Sequence, residues 1–289
     1  MLLSPELRAR LERLSLRTRG RVRGKWSGRH ASKQIGESID FADYREYALG
    51  DDFRRIDHNL WARLGVVMVR LFEAEDELPL RLIVDTSASM GFGTKFRVAQ
   101  ELAAVMSFLA LAGGDRVYPV QVPGPDGRSF AAGPPSRHIA GWPVLESWLE
   151  RLAPGGAGTL TPAVHNLIGT STLRGPIVLI SDLFDAGWMK SIDAMGTAGS
   201  GTVLHVLAPD ELEPNLSGDL RLIDSESQKT VDLSTSSDAV SAYRSARDAF
   251  LAEAGARARR AGLDYVLVPA EPGAAERTLA ALAAVEAVR

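Results

Sequence analysis

The sequence predicts an α/β fold, a doubly wound and mostly parallel sheet flanked by helices, with an N-terminal extension and a late β-hairpin. From Pro79 onward, short continuous apolar runs alternate with longer stretches of helical period, the pattern of strands buried on both faces. Up to Glu77 the chain is instead dense in charge and poor in apolar runs. The 289 residues, 45% hydrophobic, suffice for one large or two modest domains with a packed core. The expected division is a charged extension over residues 1–77 and an α/β domain over 78–289.

Taken in order, Leu7, Leu11 and Leu14 form one apolar stripe of a short helix, with Ser4 as N-cap and Pro5 as first helical residue. The first thirty residues are rich in arginine, so this tip is basic; it is read as a solvated helix packing one face on the body, or as a basic surface for anionic lipid or RNA. Leu80–Val84 is the first buried strand. Thr94 is expected to cap a helix running to about Ala112, followed by a strand over Arg116–Val122. The Gly124–Gly127 turn leads to a short strand near Ser129–Ala132, an edge hairpin. Helices are expected near His138–Arg151 and Pro162–Gly169, then strand Ile177–Ile180, helix Trp188–Met195 and strand Val203–Leu207. Leu220–Ile223 and Thr230–Leu233 flank Asp224–Lys229 as the late hairpin. An alanine-rich helix from about Asp238 to Ala261, strand Tyr265–Val268 and a helix from Ala274 close the chain.

Composition removes several function classes. A formal charge of -3 with 24% charged residues gives no whole-chain reason to expect nucleic acid. The absence of cysteine excludes disulfides, thiolate metal sites and cysteine nucleophiles. No apolar run reaches membrane-spanning length; Leu102–Ala112 is broken by Ser107 and ends at Gly113. Arginines from Arg8 onward leave no signal-peptide core, so a cytoplasmic location is expected.

Chemistry concentrates where the first strand ends, in Asp85-Thr86-Ser87-Ala88-Ser89. A carboxylate and two hydroxyls at alternate positions of a loop can turn toward one point and offer hard oxygen ligands of the kind magnesium takes. The alternative is that Ser87 and Ser89 only cap a helix or close a turn. The strand Ile177–Ile180 also ends in a carboxylate, Asp182. In the order 3-2-1-4-5-6 these two strands are neighbours at the topological switch point. A glycine-rich loop, Gly155 to Pro162, opens a helix and can bring Thr159 to the same place, with Thr161 as the competing hydroxyl.

Asp85-x-Ser87-x-Ser89, Thr159 and Asp182 together resemble the metal-ion-dependent adhesion site of von Willebrand factor type A domains. That resemblance implies a von Willebrand A-like (Rossmann-like) fold, a bound Mg2+ or Mn2+, and an open coordination position for an acidic residue of a protein partner. Asp40-Phe41-Ala42-Asp43-Tyr44-Arg45-Glu46-Tyr47, Gly50-Asp51-Asp52-Phe53-Arg54-Arg55-Ile56-Asp57, Ala62-Arg63 and Val69-Arg70-Leu71-Phe72-Glu73 are similar to motifs of an uncharacterised bacterial family of von Willebrand A-like proteins, a domain of unknown function often encoded beside MoxR-type AAA+ ATPases. His58 departs from the tryptophan usual there. The resemblance implies an adaptor or co-chaperone partner of a MoxR-type AAA+ ATPase, in a short version without the two membrane helices common in the family. Asp51, Asp52, Arg54, Arg55 and Asp57 are read either as an ion-pair network or as a partner-binding surface.

Enzyme readings find less support. The five histidines form no zinc pair, and no phosphate-binding glycine-lysine loop or nucleophile elbow occurs. Asp85 with Lys95 nearby suggests a phosphoryl-accepting aspartate, but Ser87 stands where a second acid would act. A metal-dependent phosphatase or hydrolase, and a scaffold with a vestigial metal site, remain the alternatives to the binding module.

Overall fold

The computed structural model describes residues 1–14, 41–48, 51–72, 79–156, 158–169, 175–214, 219–223, 230–234 and 237–284. The basic run from Arg17 to Arg29, motif positions Asp40, Gly50 and Glu73, Ala157 and the hairpin turn 224–229 lie outside the described residues. The chain divides into two compact units, Met1–Arg21 with Leu78–Arg289, and Val22–Glu77. The first helix thus belongs to the larger unit.

That helix, α1 (Pro5–Leu11), is capped by the Ser4 side chain accepting from Leu7 N. It buries Leu7 and Leu11 in the core, joined by Leu3 just before it, and the Arg8 guanidinium pairs with both carboxylate oxygens of Glu146 at 2.8 and 2.9 Å. The described part of the basic tip therefore packs on the body. In the smaller unit, β1 (Phe41–Glu46) and β2 (Met68–Phe72) pair antiparallel, with α2 (His58–Leu64) between them in sequence.

The larger unit continues with β3 (Pro79–Asp85), α3 (Lys95–Ala112), β4 (Arg116–Val122), β5 (Ala131–Ala132), β6 (Ser136–Arg137), α4 (Trp142–Arg151), α5 (Leu160–Gly169) and β7 (Ile177–Ser181). Then come α6 (Trp188–Thr197), β8 (Gly201–Leu207), α7 (Pro209–Leu212), the antiparallel pair β9 (Asp219–Ile223) and β10 (Thr230–Ser234), α8 (Ser237–Arg260), β11 (Asp264–Pro269) and α9 (Ala274–Ala284). The short helix α7 had no forecast, since four residues carry no helical period.

The central sheet runs β11-β8-β7-β3-β4-β5, with β6 also on β4; β3, β4, β7, β8 and β11 are parallel and the short edge strands antiparallel. With β3 as first strand, this is the doubly wound order expected. Alternation within β3 sends Leu80, Leu82 and Val84 to a core shared with α1, α3, α4 and α9, and Ile83 to a second core with α5, α6 and α8. Both faces are thus covered. Chain leaving β3 crosses to α3 on one face and chain leaving β7 crosses to α6 on the other, so the carboxyl ends of β3 and β7 mark the topological switch point of the sheet.

Candidate functional site

Asp85 is the last residue of β3, and strand register sets it beside Ser181 at the end of β7, which in turn pairs with His205 on β8. Ser181 Oγ donates to Asp85 Oδ2 at 2.5 Å and accepts from Leu183 N at 2.9 Å. Ser87 N donates to Asp85 Oδ1 at 2.9 Å, folding the loop back over the strand end. Each carboxylate oxygen retains a lone pair. Burial, reinforced by the nearby Asp182 charge, pushes the Asp85 carboxyl up to about 6.

The two serine hydroxyls lie 3.0 Å apart. Ser87 stands at the start of a one-turn 3-10 helix, Ala88–Gly91, yet its side chain makes no capping bond. Nor does Thr94 cap α3 through its side chain, as expected from sequence; its hydroxyl donates to Ala270 O instead, at 2.5 Å. The serines are therefore turned toward each other beside Asp85 rather than used at a helix end.

The glycine-rich loop is pinned to the same segment. Gly155 N donates to Thr86 O at 2.8 Å and Ala88 N to Gly156 O at 2.9 Å, while Thr86 Oγ1 donates to Pro123 O at 3.0 Å. Glycine is required here by close approach: a Cβ on Gly158 would sit 2.8 Å from the Pro123 Cβ. Thr159 is exposed at the end of this loop. Thr161, the competing hydroxyl, is engaged elsewhere, 3.1 Å from Ser191 Oγ and 3.4 Å from Gly187 O. Asp185 accepts from Leu160 N and so satisfies a free amide at the start of α5.

Asp182 follows Ser181 and is 1% exposed. Its Oδ1 accepts from Phe184 N at 3.1 Å, and its Oδ2 takes an ion pair with Lys95 Nζ at 2.8 Å. Lys95, at the first position of α3, is fully buried and also meets Glu211 Oε1 at 2.6 Å. Behind them His205 is 2.9 Å from Asp182 O through Nε2 and 2.8 Å from Tyr265 Oη through Nδ1. A carbonyl only accepts, so Nε2 carries the proton and Nδ1 accepts from the tyrosine. Burial lowers His205 to about 4 and raises Tyr265 to about 12, keeping both neutral.

Asp85, Ser87 and Ser89 fit a hard divalent cation: one carboxylate with lone pairs to spare and two adjacent hydroxyls, with the glycine loop tied to the same segment. Among the described residues no group of three or more His, Asp or Glu side chains is placed to hold a metal ion, and this set differs in being mostly hydroxyl. The resemblance implied Asp182 and Thr159 as further ligands; the structure holds Asp182 against a lysine and leaves Thr159 exposed. Ser181, Lys95, His205 and Glu211 were absent from the ligand set read in sequence. A histidine within the otherwise apolar run of β8 and a lysine opening the apolar α3 were the available signals.

In the smaller unit, Asp57 Oδ1 caps α2 by accepting from Asn59 N and Leu60 N, and its Oδ2 accepts from Tyr44 Oη at 2.8 Å. Asp51 pairs with Arg45 at 2.8 Å and accepts from Ala48 N; Asp52 accepts from Arg54 N. Arg54 lies over the Phe53 ring, 6.0 Å from its centroid, and the Arg55 side chain is outside the described residues.

A family model described as "Protein of unknown function DUF58" matches residues 43–258. An uncharacterized protein of Mycobacterium bovis and one of Mycobacterium tuberculosis are each 31% identical over 228 residues, covering 77% of this chain and 72% of the relative. Among the described residues no helix is long and apolar enough to cross a membrane.

Proposed function

Taking as premise that the chain belongs to the DUF58 family of proteins of unknown function, we propose that it is a divalent-metal-dependent protein-binding module, an adaptor or co-chaperone partner of a MoxR-type AAA+ ATPase. The observation that carries this reading is the Ser87 and Ser89 hydroxyl pair, 3.0 Å apart, beside the buried Asp85 carboxylate at the switch point of the sheet. Asp85, Ser87 and Ser89 would hold Mg2+ or Mn2+, with the exposed Thr159 available at the adjoining loop. When bound, the ion supplies a Lewis-acidic position that a carboxylate of the partner fills. The chain's own residues do the rest. Ser181 and the Ser87 amide fix the Asp85 rotamer, and the Gly155 and Gly156 backbone bonds hold the glycine loop against the serine loop. Phe92 and Phe184, 48% and 47% exposed, flank the Lys95 head and offer apolar contact beside the charge.

The von Willebrand A-like identity, the metal and the ATPase partner are all parts of this proposal, supported by the motif resemblance and the sheet order. The test immobilises the protein and passes over it the purified MoxR-type AAA+ ATPase of the same cells, with magnesium or with chelator, beside the Asp85→Ala variant. Retention that requires both metal and Asp85 is expected. Retention indifferent to both would overturn the proposal.

A further inference from the structure

We propose that Lys95 is the positioning residue that sets the affinity of the cation site: its ammonium already occupies the cation's place beside Asp182. On this account, which rests on the metal-binding reading above, a divalent ion is held from the Asp85, Ser87 and Ser89 side while Asp182 stays with the lysine.

The geometry is closed on every side. Lys95 Nζ sits 2.8 Å from Asp182 Oδ2 and 2.6 Å from Glu211 Oε1, with no exposure to solvent. The rings of Phe184 and Phe92 lie 5.0 and 6.0 Å away and keep the ammonium in a weakly screened environment. Each carboxylate is also fixed by one backbone amide, Asp182 by Phe184 N and Glu211 by Ala208 N at 2.8 Å. Removing the lysine from Asp182 would leave buried charge uncompensated, the costly outcome for a buried pair. A second cation on the same carboxylate oxygen would meet a like charge within a few ångströms, where repulsion is large. The clamp extends further: Glu211 belongs to α7, and α8 grips that helix through Tyr243 Oη donating to Glu211 O at 2.7 Å and Arg247 donating to Leu212 O. Lys95 therefore ties the loop after β7 to α7 and α8 while withholding Asp182 from the ion.

The experiment measures Mn2+ affinity by paramagnetic resonance, and melting temperature without metal, for the full chain and for Lys95→Met, Lys95→Arg and Lys95→Met/Asp182→Asn. Freed of the lysine, Asp182 becomes a ligand, so Lys95→Met is expected to bind Mn2+ on the order of ten-fold tighter or more. Lys95→Arg, which keeps the charge, and Lys95→Met/Asp182→Asn, which removes both charges, are expected to bind like the parent. Should Lys95→Met fold poorly, Lys95→Met/Glu211→Gln preserves the charge balance and carries the same expected gain. Unchanged or weaker binding by a folded Lys95→Met overturns the inference. So does a Lys95→Met/Asp182→Asn variant that binds ten-fold more weakly than the parent, since Asp182 would then already be a ligand. A merely structural lysine would lower the melting temperature and leave affinity alone. If the parent binds nothing but Lys95→Met binds, the metal-dependent function falls and the inference stands. If neither binds, both fall.

Discussion

At the carboxyl ends of β3 and β7, Asp85, Asp182 and Lys95 are at most 3% exposed, whereas in the unit of residues 22–77 Asp51 is partly exposed, Asp52 is exposed and Asp57 is buried. Both clusters are rich in aspartate, and both stood out in the sequence for that reason. In the smaller unit these three aspartates complete local chain geometry: Asp57 closes the first turn of α2, Asp52 the turn at Phe53, and Asp51 the bend at Ala48. At the carboxyl end of β3, Asp85 is held by hydrogen bonds, yet burial and the nearby Asp182 charge disfavour its ionised form, and among the described residues no ion pair offsets them. Carboxylates that finish a turn stabilise the fold; a carboxylate raised by burial costs stability when ionised.

Substitutions that remove charge should therefore act in opposite directions in the two clusters. The largest effect is expected at His205, which burial holds neutral down to about 4 against an ordinary 6.5. The unfolded chain binds this proton and the folded chain does not, so the contribution is complete above pH 6.5 and is lost as pH falls toward 4. Relative to His205→Gln, the parent should lose about 3 kcal/mol across that window, read from denaturant melts at each pH. Asp85 has the reverse sign, its folded value lying near 6 against 3.8. Its cost is absent below 3.8 and complete above about 6, so Asp85→Asn should stabilise the protein at pH 7.5 by about 3 kcal/mol and leave it unchanged near pH 3.5. A destabilised Asp85→Asn at pH 7.5 would erase the contrast. Asp57→Ala, by contrast, should cost about 1 to 2 kcal/mol through loss of the cap and of the Tyr44 bond, seen as faster amide exchange in α2. Arg45→Ala, at an exposed pair with Asp51, should leave the melting temperature where it is.

Much of this arrangement was legible before the structure. Sheet order followed from the alternation after Pro79, and the neighbouring of Asp85 and Asp182 followed from that order. Element ends were less legible, since Thr94 looks like a cap and bonds Ala270 instead, a contact across 176 residues. The same distance in sequence hides the Lys95, Asp182 and Glu211 triad, whose members lie on α3, after β7 and on α7 and carry no shared spacing. Local motifs revealed the loop oxygens because one loop holds all three; the charges that govern them converge only through the fold.

The measurement closest to the central claim is calorimetric titration of Mg2+ and Mn2+ into the parent and into Ser87→Ala/Ser89→Ala at pH 7.5, with thermal melts in parallel. One ion per chain, raising the melting temperature of the parent and lost in the double variant while its metal-free melt is unchanged, is the predicted result. Equal binding by both, or none by the parent, would contradict it.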